Sequence, residues 1–316
     1  MYSFDVKNET VLAIIRRLSP FLHGKNDALL RVLVCAFSGG HLLLEDLPGL
    51  GKTTMAIAAA RVLGLRFGRV QCTNDLLPTD VTGLNIFKAE KGAFQFHPGP
   101  IFNNLVLVDE INRATPKTQS ALLEAMGEEQ VTIDGSTYRL AMPFMVIATQ
   151  NPIEHSGTFP LPESQMDRFM MRVSIGYPDR DSEINILKAG SQRESIDGIV
   201  PVLSPEAVIS LRKAIELETA VSDKILDYIM TITEMTRNHP QITAGISTRG
   251  AMVLLSCARC AAWMQGRAFV IPEDVKAFAP EILAHRMQMR GAARSGSSPE
   301  ALEALSSILS EAPALG

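Results

Sequence analysis

The sequence has no run of lysine and arginine and no long hydrophobic segment. Its 316 residues carry a formal net charge of −4, so no basic face is expected for binding nucleic-acid phosphates. No apolar stretch approaches the roughly 18 residues of a membrane span. Residues 1–10 mix charged with polar side chains. We therefore expect a cytoplasmic protein that neither inserts into a membrane nor binds nucleic acid.

Cysteine is scarce as well, with four residues in the chain. Cys257 and Cys260 have the spacing of a metal or redox pair, but they lie within a helical pattern and no second pair or histidine follows at ligand spacing. We interpret them as buried structural cysteines. The six histidines are scattered along the chain and offer no cluster of metal ligands.

A glycine-rich segment, Leu47–Met55, stands between a strand-like run at 41–45 and an alanine-rich helical stretch at 56–63. Such a loop curls its backbone N–H groups around a polyphosphate and places a helix N-terminus behind it. This position in the sequence predicts a nucleotide-binding loop. Its predicted contacts are Pro48, Gly49, Leu50, Gly51, Lys52, Thr53 and Thr54.

Two side chains of this loop have separate predicted roles. Lys52 is expected to reach the β- and γ-phosphates of ATP, and the Thr53 hydroxyl is expected to coordinate Mg²⁺. The strict G-x-x-x-x-G-K-[ST] pattern is incomplete, because Asp46 stands where the first glycine belongs. A coincidental Gly-Lys-Thr at a helix start is the alternative, and a second motif argues against it.

The second motif is Leu105–Glu110, an apolar run that ends in two carboxylates. Such a run is typical of a central parallel strand, whose carboxyl end lies where these sheets bind ligands. Asp109 is the predicted outer-sphere Mg²⁺ ligand, and Glu110 is the predicted base that aligns and deprotonates a water. Two solvated acids at a strand end are the alternative. A water-activating glutamate favours ATP hydrolysis over phosphate transfer to a metabolite.

Helical and strand patterns alternate in the first part of the chain. Two helical stretches, 9–19 and 25–38, come first. Alternating elements follow at 41–46, 52–63, 67–72, 104–109, 116–127, 144–149 and 170–175. This order predicts an α/β fold with a parallel sheet and helices on both faces. Two hairpins, at 83–96 and 131–140, interrupt it, either as surface decoration or as contacts to a partner or a channel.

From residue 181 onwards the pattern is helical, and no further strand is predicted. Helices are expected at 182–190, 205–216, 222–238, 248–265, 273–287 and 299–310. Several begin with a serine N-cap followed by proline or an acidic residue. We therefore expect two domains, an α/β nucleotide-binding domain over residues 1–195 and an all-helical domain over residues 196–316.

An α/β ATPase core followed by a small helical domain resembles the AAA+ superfamily, and the specific motifs resemble its MoxR family. The resemblance covers nearly the whole chain. The chain departs from the family pattern at two positions: Asp46 replaces a glycine, and Thr248 stands where proline is common. It implies a P-loop AAA+ core with a parallel sheet and an all-helical lid domain. The matching segments are 40–45, 48–53, 75–83, 99–102, 108–114, 148–152, 161–169 and 247–249.

The resemblance implies roles for three further residues and points to a fourth family position. Asn151 corresponds to sensor 1, which orients the attacking water, and an Asn-Pro turn is the alternative. Arg168 corresponds to the arginine finger, which acts in the neighbouring subunit's site. Arg249 corresponds to sensor 2, acting either in its own subunit or across the interface. Arg113 occupies a family position with no assigned role, and a surface ion pair is its alternative.

The resemblance implies a Mg²⁺-dependent ATPase that assembles as a homo-oligomeric ring, expected to be a hexamer. Its cofactors would be ATP and Mg²⁺, and its task would be to remodel or activate a protein client as a chaperone-type factor. A partner with a von Willebrand factor A domain is also implied. Both hairpins are expected to face the ring's channel or the client.

Two other functions compete with this interpretation. A nucleic-acid motor would carry basic hairpins, yet these hairpins carry only Lys88, Lys91 and Arg139. A nucleotide-gated scaffold would bind ATP and barely hydrolyse it. Such a scaffold has no need of a base, a sensor and a finger together, so the water-activating and finger residues argue against it.

Overall fold

The structure is a computed structural model and describes residues 4–152, 157–190, 193–291 and 298–313. The strands are β1 Leu42–Glu45, β2 Phe67–Gln71, β3 Gly83–Lys88, β4 Ala93–Pro98, β5 Leu105–Asp109, β6 Gln130–Ile133, β7 Ser136–Arg139, β8 Met145–Gln150, β9 Met171–Val173, β10 Ile242–Ala244 and β11 Gln288–Met289.

Helices precede, alternate with and follow these strands. They are α1 Glu9–Leu18, α2 Asn26–Ser38, α3 Lys52–Val62, α4 Pro78–Thr82, α5 Pro116–Glu128, α6 Glu163–Met166, α7 Arg180–Ala189, α8 Arg193–Asp197, α9 Pro205–Glu218, α10 Asp223–Asn238, α11 Thr248–Met264, α12 Pro272–Ala277, α13 Ala279–Leu283 and α14 Pro299–Glu311.

Five strands form one parallel sheet in the order β2-β5-β8-β1-β9. The apolar run that predicted a central strand is β5, and each of its residues is buried. The loop between β1 and α3 lies at the carboxyl edge of the sheet, where β5 and β8 also end. This edge therefore collects the residues of the candidate site.

Both faces of the sheet are covered, as expected for a parallel sheet in an α/β protein. Because successive strand side chains point to opposite faces, Leu42 and Leu44 enter one hydrophobic cluster and Leu43 enters the other. The first cluster includes helices α1 to α3 and extends without a break into helices α9 to α14. The second cluster contains α5 and the hairpin β6–β7. One core thus joins the sheet to the C-terminal helices.

The two predicted hairpins are present and contact each other. Strand β3 pairs with β4, and β6 pairs with β7 around Asp134 and Gly135, which both have positive φ. Asn85 Nδ2 donates to Asp134 Oδ2 at 2.8 Å. The Phe96 ring stacks on Tyr138 with 4.2 Å between centroids. The hairpins therefore form one connected unit.

The C-terminal part differs from its prediction in two places. The helix expected at 273–287 is divided into α12, α13 and a 3-10 turn at Ala284–Arg286. Pro280, in the first turn of α13, lacks the N–H that would bond to the carbonyl of residue 276, and this accounts for the break between α12 and α13. A short antiparallel pair, β10 with β11, also lies among the helices after residue 181. The proposed domain boundary at 195 falls within α8 and stays a prediction.

All four cysteines are buried and none is bonded to another, and the burial of Cys257 and Cys260 agrees with the expectation for that pair. Burial raises the pKa of Cys72 and of Cys257 to about 12, so both remain protonated thiols at neutral pH. Across the described part of the chain, none of the helices combines the length and apolar character that crossing a bilayer demands.

Candidate nucleotide-binding site

The loop between β1 and α3 has the backbone shape that its glycines predict. Gly49 and Gly51 have φ values of 85° and 80°, in the left-handed region that favours glycine. Gly51 caps α3, and Lys52 is the first residue of that helix. The N–H groups of the helix start therefore lie behind the loop, as an anion site requires.

Asp46, at the motif position usually held by glycine, has a bonding role in this fold. Its buried carboxylate accepts hydrogen bonds from Ser174 Oγ at 2.7 Å, Ile175 N at 2.5 Å and Gly176 N at 3.2 Å. These bonds connect the loop to the segment after β9. The residue that departs from the motif thus anchors the start of the loop to the segment after β9.

Two lysine side chains donate hydrogen bonds to backbone carbonyls in or beside the loop. Lys52 Nζ donates to the Asp46 carbonyl at 2.7 Å. Lys25 Nζ, which the sequence analysis missed, donates to the Leu50 carbonyl. Burial lowers the pKa of both lysines, and the carboxylate of Asp46 opposes this effect. Both ammonium groups reinforce the positive potential of an anion-binding loop.

The carboxyl end of β5 carries Asp109 and Glu110, and Thr149 on β8 connects them. Thr149 Oγ1 donates to Asp109 Oδ1 at 3.3 Å and accepts from Glu110 N at 3.0 Å. Glu110 has φ 56°, an uncommon conformation for a non-glycine residue that concentrates at functional sites. Its side chain pairs with Arg113 at 3.0 Å, so the ion-pair alternative for Arg113 has a structural basis.

Arg69 on β2 is a further residue that the sequence analysis missed. Its Nε and Nη2 atoms both lie 2.8 Å from Asp109 Oδ2. Arginine on an exposed strand position carries no sequence signal for this contact. Only the pairing of β2 with β5, which places Gln71 opposite Asp109, brings the two side chains together.

Two of the cavities in the described structure border the loop glycines Gly49 and Gly51. One, of about 310 Å³, brings together most of the predicted residues and is lined by Pro48, Gly49, Gly51, Lys52, Thr53, Thr54, Arg69, Gln71, Asp109, Glu110, Thr149 and Asn151. The other, of about 680 Å³, shares Pro48, Gly49, Gly51 and Thr54 with the first and is mainly apolar. It is lined by the segment Phe21–His23, Lys25, Leu50, Tyr177, Ile186, Leu187 and Ile196 among others.

The first cavity suits Mg²⁺. This ion prefers oxygen ligands, retains several waters, and is commonly held by one or two protein groups together with phosphates. The Thr53 hydroxyl and the Asp109 carboxylate supply such oxygens in the same cavity. Within the described residues there is no cluster of three or more His, Cys, Asp or Glu side chains able to hold a metal alone.

Arg168 and Arg249 line neither cavity. Arg168 Nη1 donates to the Leu123 carbonyl on α5 at 2.6 Å. Arg249 Nε lies 3.9 Å from Asp167 Oδ2, beside the residue that precedes Arg168. The structure therefore places Arg249 beside the residue that precedes Arg168, and it places both arginines outside these two cavities.

The fold and the site are those of an AAA ATPase, with a phosphate loop, a strand-end Asp-Glu pair and a helical lid. Residues 41–171 match the ATPase family associated with various cellular activities (AAA), and residues 234–305 match the AAA lid domain. A candidate ATPase from Cytophaga hutchinsonii superposes with a TM-score of 0.86 at 37% identity, covering 96% of this chain and 94% of that chain.

Two further proteins are similar to this chain in sequence over most of their length. The uncharacterized protein YeaC of Bacillus subtilis is 44% identical, over 89% of this chain and 87% of its own. Chaperone MoxR1 of Mycobacterium tuberculosis is 38% identical, over 84% of this chain and 72% of its own. The chain belongs to the MoxR family of AAA ATPases.

Proposed function

We propose that this protein is a Mg²⁺-dependent ATPase that works as a ring and remodels protein clients. The observation that carries the proposal is the single cavity shared by the phosphate loop, Asp109, Glu110 and Asn151. A phosphate site alone would suit many nucleotide-binding proteins. A carboxylate and an amide placed beside it are the groups that hydrolysis requires.

In this proposal the loop and its lysine bind the phosphates. The N–H groups at the start of α3 and the Lys52 ammonium neutralise the β- and γ-phosphates. Thr53 and Asp109 would hold Mg²⁺, the first directly and the second through water. The bound ion would supply charge neutralisation on the phosphate oxygens. Asp109 is prepared for this role because Thr149 fixes one of its oxygens.

Glu110 and Asn151 would act on the attacking water. Glu110 accepts the proton while Asn151 orients the water toward the γ-phosphate. The Glu110 carboxylate is paired with Arg113, so it must turn from that arginine toward the water. The backbone beneath it stays fixed, because its N–H donates to Thr149.

The larger cavity would take the nucleobase and ribose. It begins at the loop glycines and is lined by apolar and aromatic side chains from the segment before α2 and from α7. A flat, weakly polar base fits such a surface, whereas the triphosphate fits the polar cavity across the loop. ATP would thus lie across the loop with its two ends in different cavities.

Arg168 and Arg249 would act in a neighbouring subunit. Both lie around Asp167 and outside the two cavities of their own chain. A guanidinium from one copy placed in the pocket of the next makes a head-to-tail contact, and such contacts generate a ring when the rotation between copies closes. We propose a hexamer and assign both the finger and sensor 2 to this interface.

The joined hairpins would contact the client. Phe87 and Phe94 on the β3–β4 hairpin are 56% and 72% exposed and lie edge to face at 5.4 Å. Exposed aromatic rings suit contact with polypeptide, and the hairpins carry only the three cations Lys88, Lys91 and Arg139 for contact with phosphates. The name Chaperone MoxR1 supports a protein client. A partner with a von Willebrand factor A domain belongs to the same proposal on family grounds.

Two substitutions test the proposed chemistry. Lys52→Ala should abolish ATP binding measured by calorimetry, because it removes the phosphate-binding ammonium. Glu110→Gln should retain binding and lose about two to four powers of ten in turnover, because it removes one general base. Lys213→Ala and Glu303→Gln, at exposed positions in the lid, are matched controls that should change neither. Equal loss of binding in both site variants would contradict the assigned roles.

A further inference from the structure

Arg69 forms an ion pair with Asp109, the carboxylate that the proposed function assigns to Mg²⁺. Both Nε and Nη2 lie 2.8 Å from Asp109 Oδ2, and Nη2 also donates to Gln71 Oε1 at 3.2 Å. The other oxygen of Asp109 accepts from Thr149. The protein therefore satisfies both oxygens of this carboxylate with its own donors.

A hydrated Mg²⁺ ion needs the same carboxylate. Waters coordinated to the ion would donate hydrogen bonds to the Asp109 carboxylate, to which the Arg69 guanidinium already donates. Two cations next to one carboxylate also repel each other. Asp109 is held in place with 10% of its side chain exposed, whereas 46% of the Arg69 side chain is exposed. Arg69 is therefore the partner that can move.

A second carboxylate stands within an adjoining cavity. This cavity of about 210 Å³ is bordered by Arg69, Thr53 and Asp197. Asp197 accepts from Arg61 at 2.8 Å, and its side chain is 66% exposed, so its other oxygen can accept from another donor. If Arg69 leaves Asp109, its guanidinium can therefore pair with Asp197, which borders the same cavity.

We infer that Arg69 is a positioning residue that competes with Mg²⁺ for Asp109 and sets the Mg²⁺ affinity of the nucleotide complex. The inference rests on the proposed function, since it assumes that Asp109 faces the ion. With Mg²⁺·nucleotide bound, Arg69 turns toward Asp197. Without Mg²⁺, it returns to Asp109 and keeps the carboxylate in place. Mg²⁺ affinity is then tuned by an ordinary ion pair.

The test measures metal affinity instead of turnover. A fluorescent ADP analogue is titrated into the protein in EDTA and at a series of Mg²⁺ concentrations, and linkage gives the Mg²⁺ dissociation constant of the complex. Arg69→Met removes the charge and keeps the length, and should lower this constant about five-fold, the upper range for a partly exposed pair. Arg66→Met, at the exposed residue that immediately precedes β2, is the matched control and should leave it unchanged.

A second variant is expected to change the Mg²⁺ dissociation constant in the opposite direction. Asp197→Asn removes the alternative partner and should raise the Mg²⁺ dissociation constant about two-fold. Its exposed position keeps this test valid if Arg69→Met fails to fold. An unchanged or raised constant in Arg69→Met, or an unchanged constant in Asp197→Asn, would overturn the inference. Failure of the wild type to bind the nucleotide with Mg²⁺ would instead overturn the proposed function.

Discussion

At the scale of single residues, the imidazole of His41 connects three elements of the α/β core. Its Nδ1 accepts from Val146 N on β8 at 3.0 Å, and its Nε2 donates to the Met126 carbonyl on α5 at 3.1 Å. Only the neutral ring can do both. Burial is the main cause that lowers the pKa of His41 to about 4, and the positive charge of Arg212 adds to it.

This histidine makes stability depend on pH. The folded pKa lies below the ordinary value of 6.5, so its contribution is fully present above pH 6.5 and is lost as pH falls toward about 4. Urea unfolding should therefore show a loss of roughly 2 kcal/mol from this group between about pH 7.5 and pH 5. Burial lowers the pKa of His285 as well, which adds a loss of the same sign.

The variant His41→Gln isolates the effect. It should be less stable at neutral pH but lose less stability on acidification, because the group that gains the proton is gone. His239→Gln, at the end of α10, is the matched control and should keep the wild-type slope. An equal pH slope in His41→Gln and wild type would contradict the role of His41.

Site residues were predictable where a short sequence motif by itself identifies the residue. Lys52 and Asp109 follow from local patterns, and the structure places them in one cavity. Lys25, Arg69 and Thr149 were missed, because their partners are distant in sequence. Arg69 and Asp109, for example, are 40 positions apart, and only strand pairing brings them together.

At the scale of elements, Arg286 connects the C-terminal helices to the segment that carries Arg168. Its Nε donates to Asp167 Oδ1 at 2.8 Å, and its Nη2 donates to the carbonyls of Phe169 at 2.6 Å and Asp167 at 3.2 Å. The guanidinium is almost fully buried, with 3% of its side chain exposed. The position of the proposed finger thus depends on the lid.

Removing Arg286 should lower the free energy of unfolding substantially. Arg286→Met leaves the Asp167 carboxylate and the Phe169 carbonyl without their main buried donor, and we expect a loss of about 3 kcal/mol in urea unfolding. Arg249→Met removes an exposed cation 3.9 Å from the same carboxylate and should cost less than about 1 kcal/mol. Similar losses in the two variants would show that Arg286 does not hold this segment.

Elements with a clear hydrophobic periodicity were predictable, and elements that depend on pairing with a segment distant in sequence were not. The sheet, both hairpins and helices such as α10 follow from patterning. The pair β10 with β11 joins segments more than 40 residues apart, so no local pattern indicated it. The break between α12 and α13 was predictable, since Pro280 is visible in the sequence and forbids a continuous helix.

At the scale of the whole molecule, the site is divided between two regions of the chain. The groups proposed to bind phosphate and activate water share one cavity, while Arg168 and Arg249 lie around Asp167 outside it. A subunit alone would therefore bind ATP and hydrolyse it slowly. Assembly would supply the missing guanidinium, which is the central claim of the proposed mechanism.

Mixing two inactive variants tests this claim most directly. Arg168→Ala should bind ATP but lose about three powers of ten in turnover, and Lys52→Ala should not bind ATP. In mixed rings about a quarter of the interfaces join an intact pocket to an intact finger.

The measurement is ATPase activity of co-assembled rings, with differently tagged subunits to prove co-assembly. A mixture of Lys52→Ala with Glu110→Gln is the control, because both defects lie in the pocket and no interface is repaired. The account predicts that the Arg168→Ala and Lys52→Ala mixture regains activity well above both parents while the control stays inactive. Mixed rings that remain as inactive as their parents would contradict it.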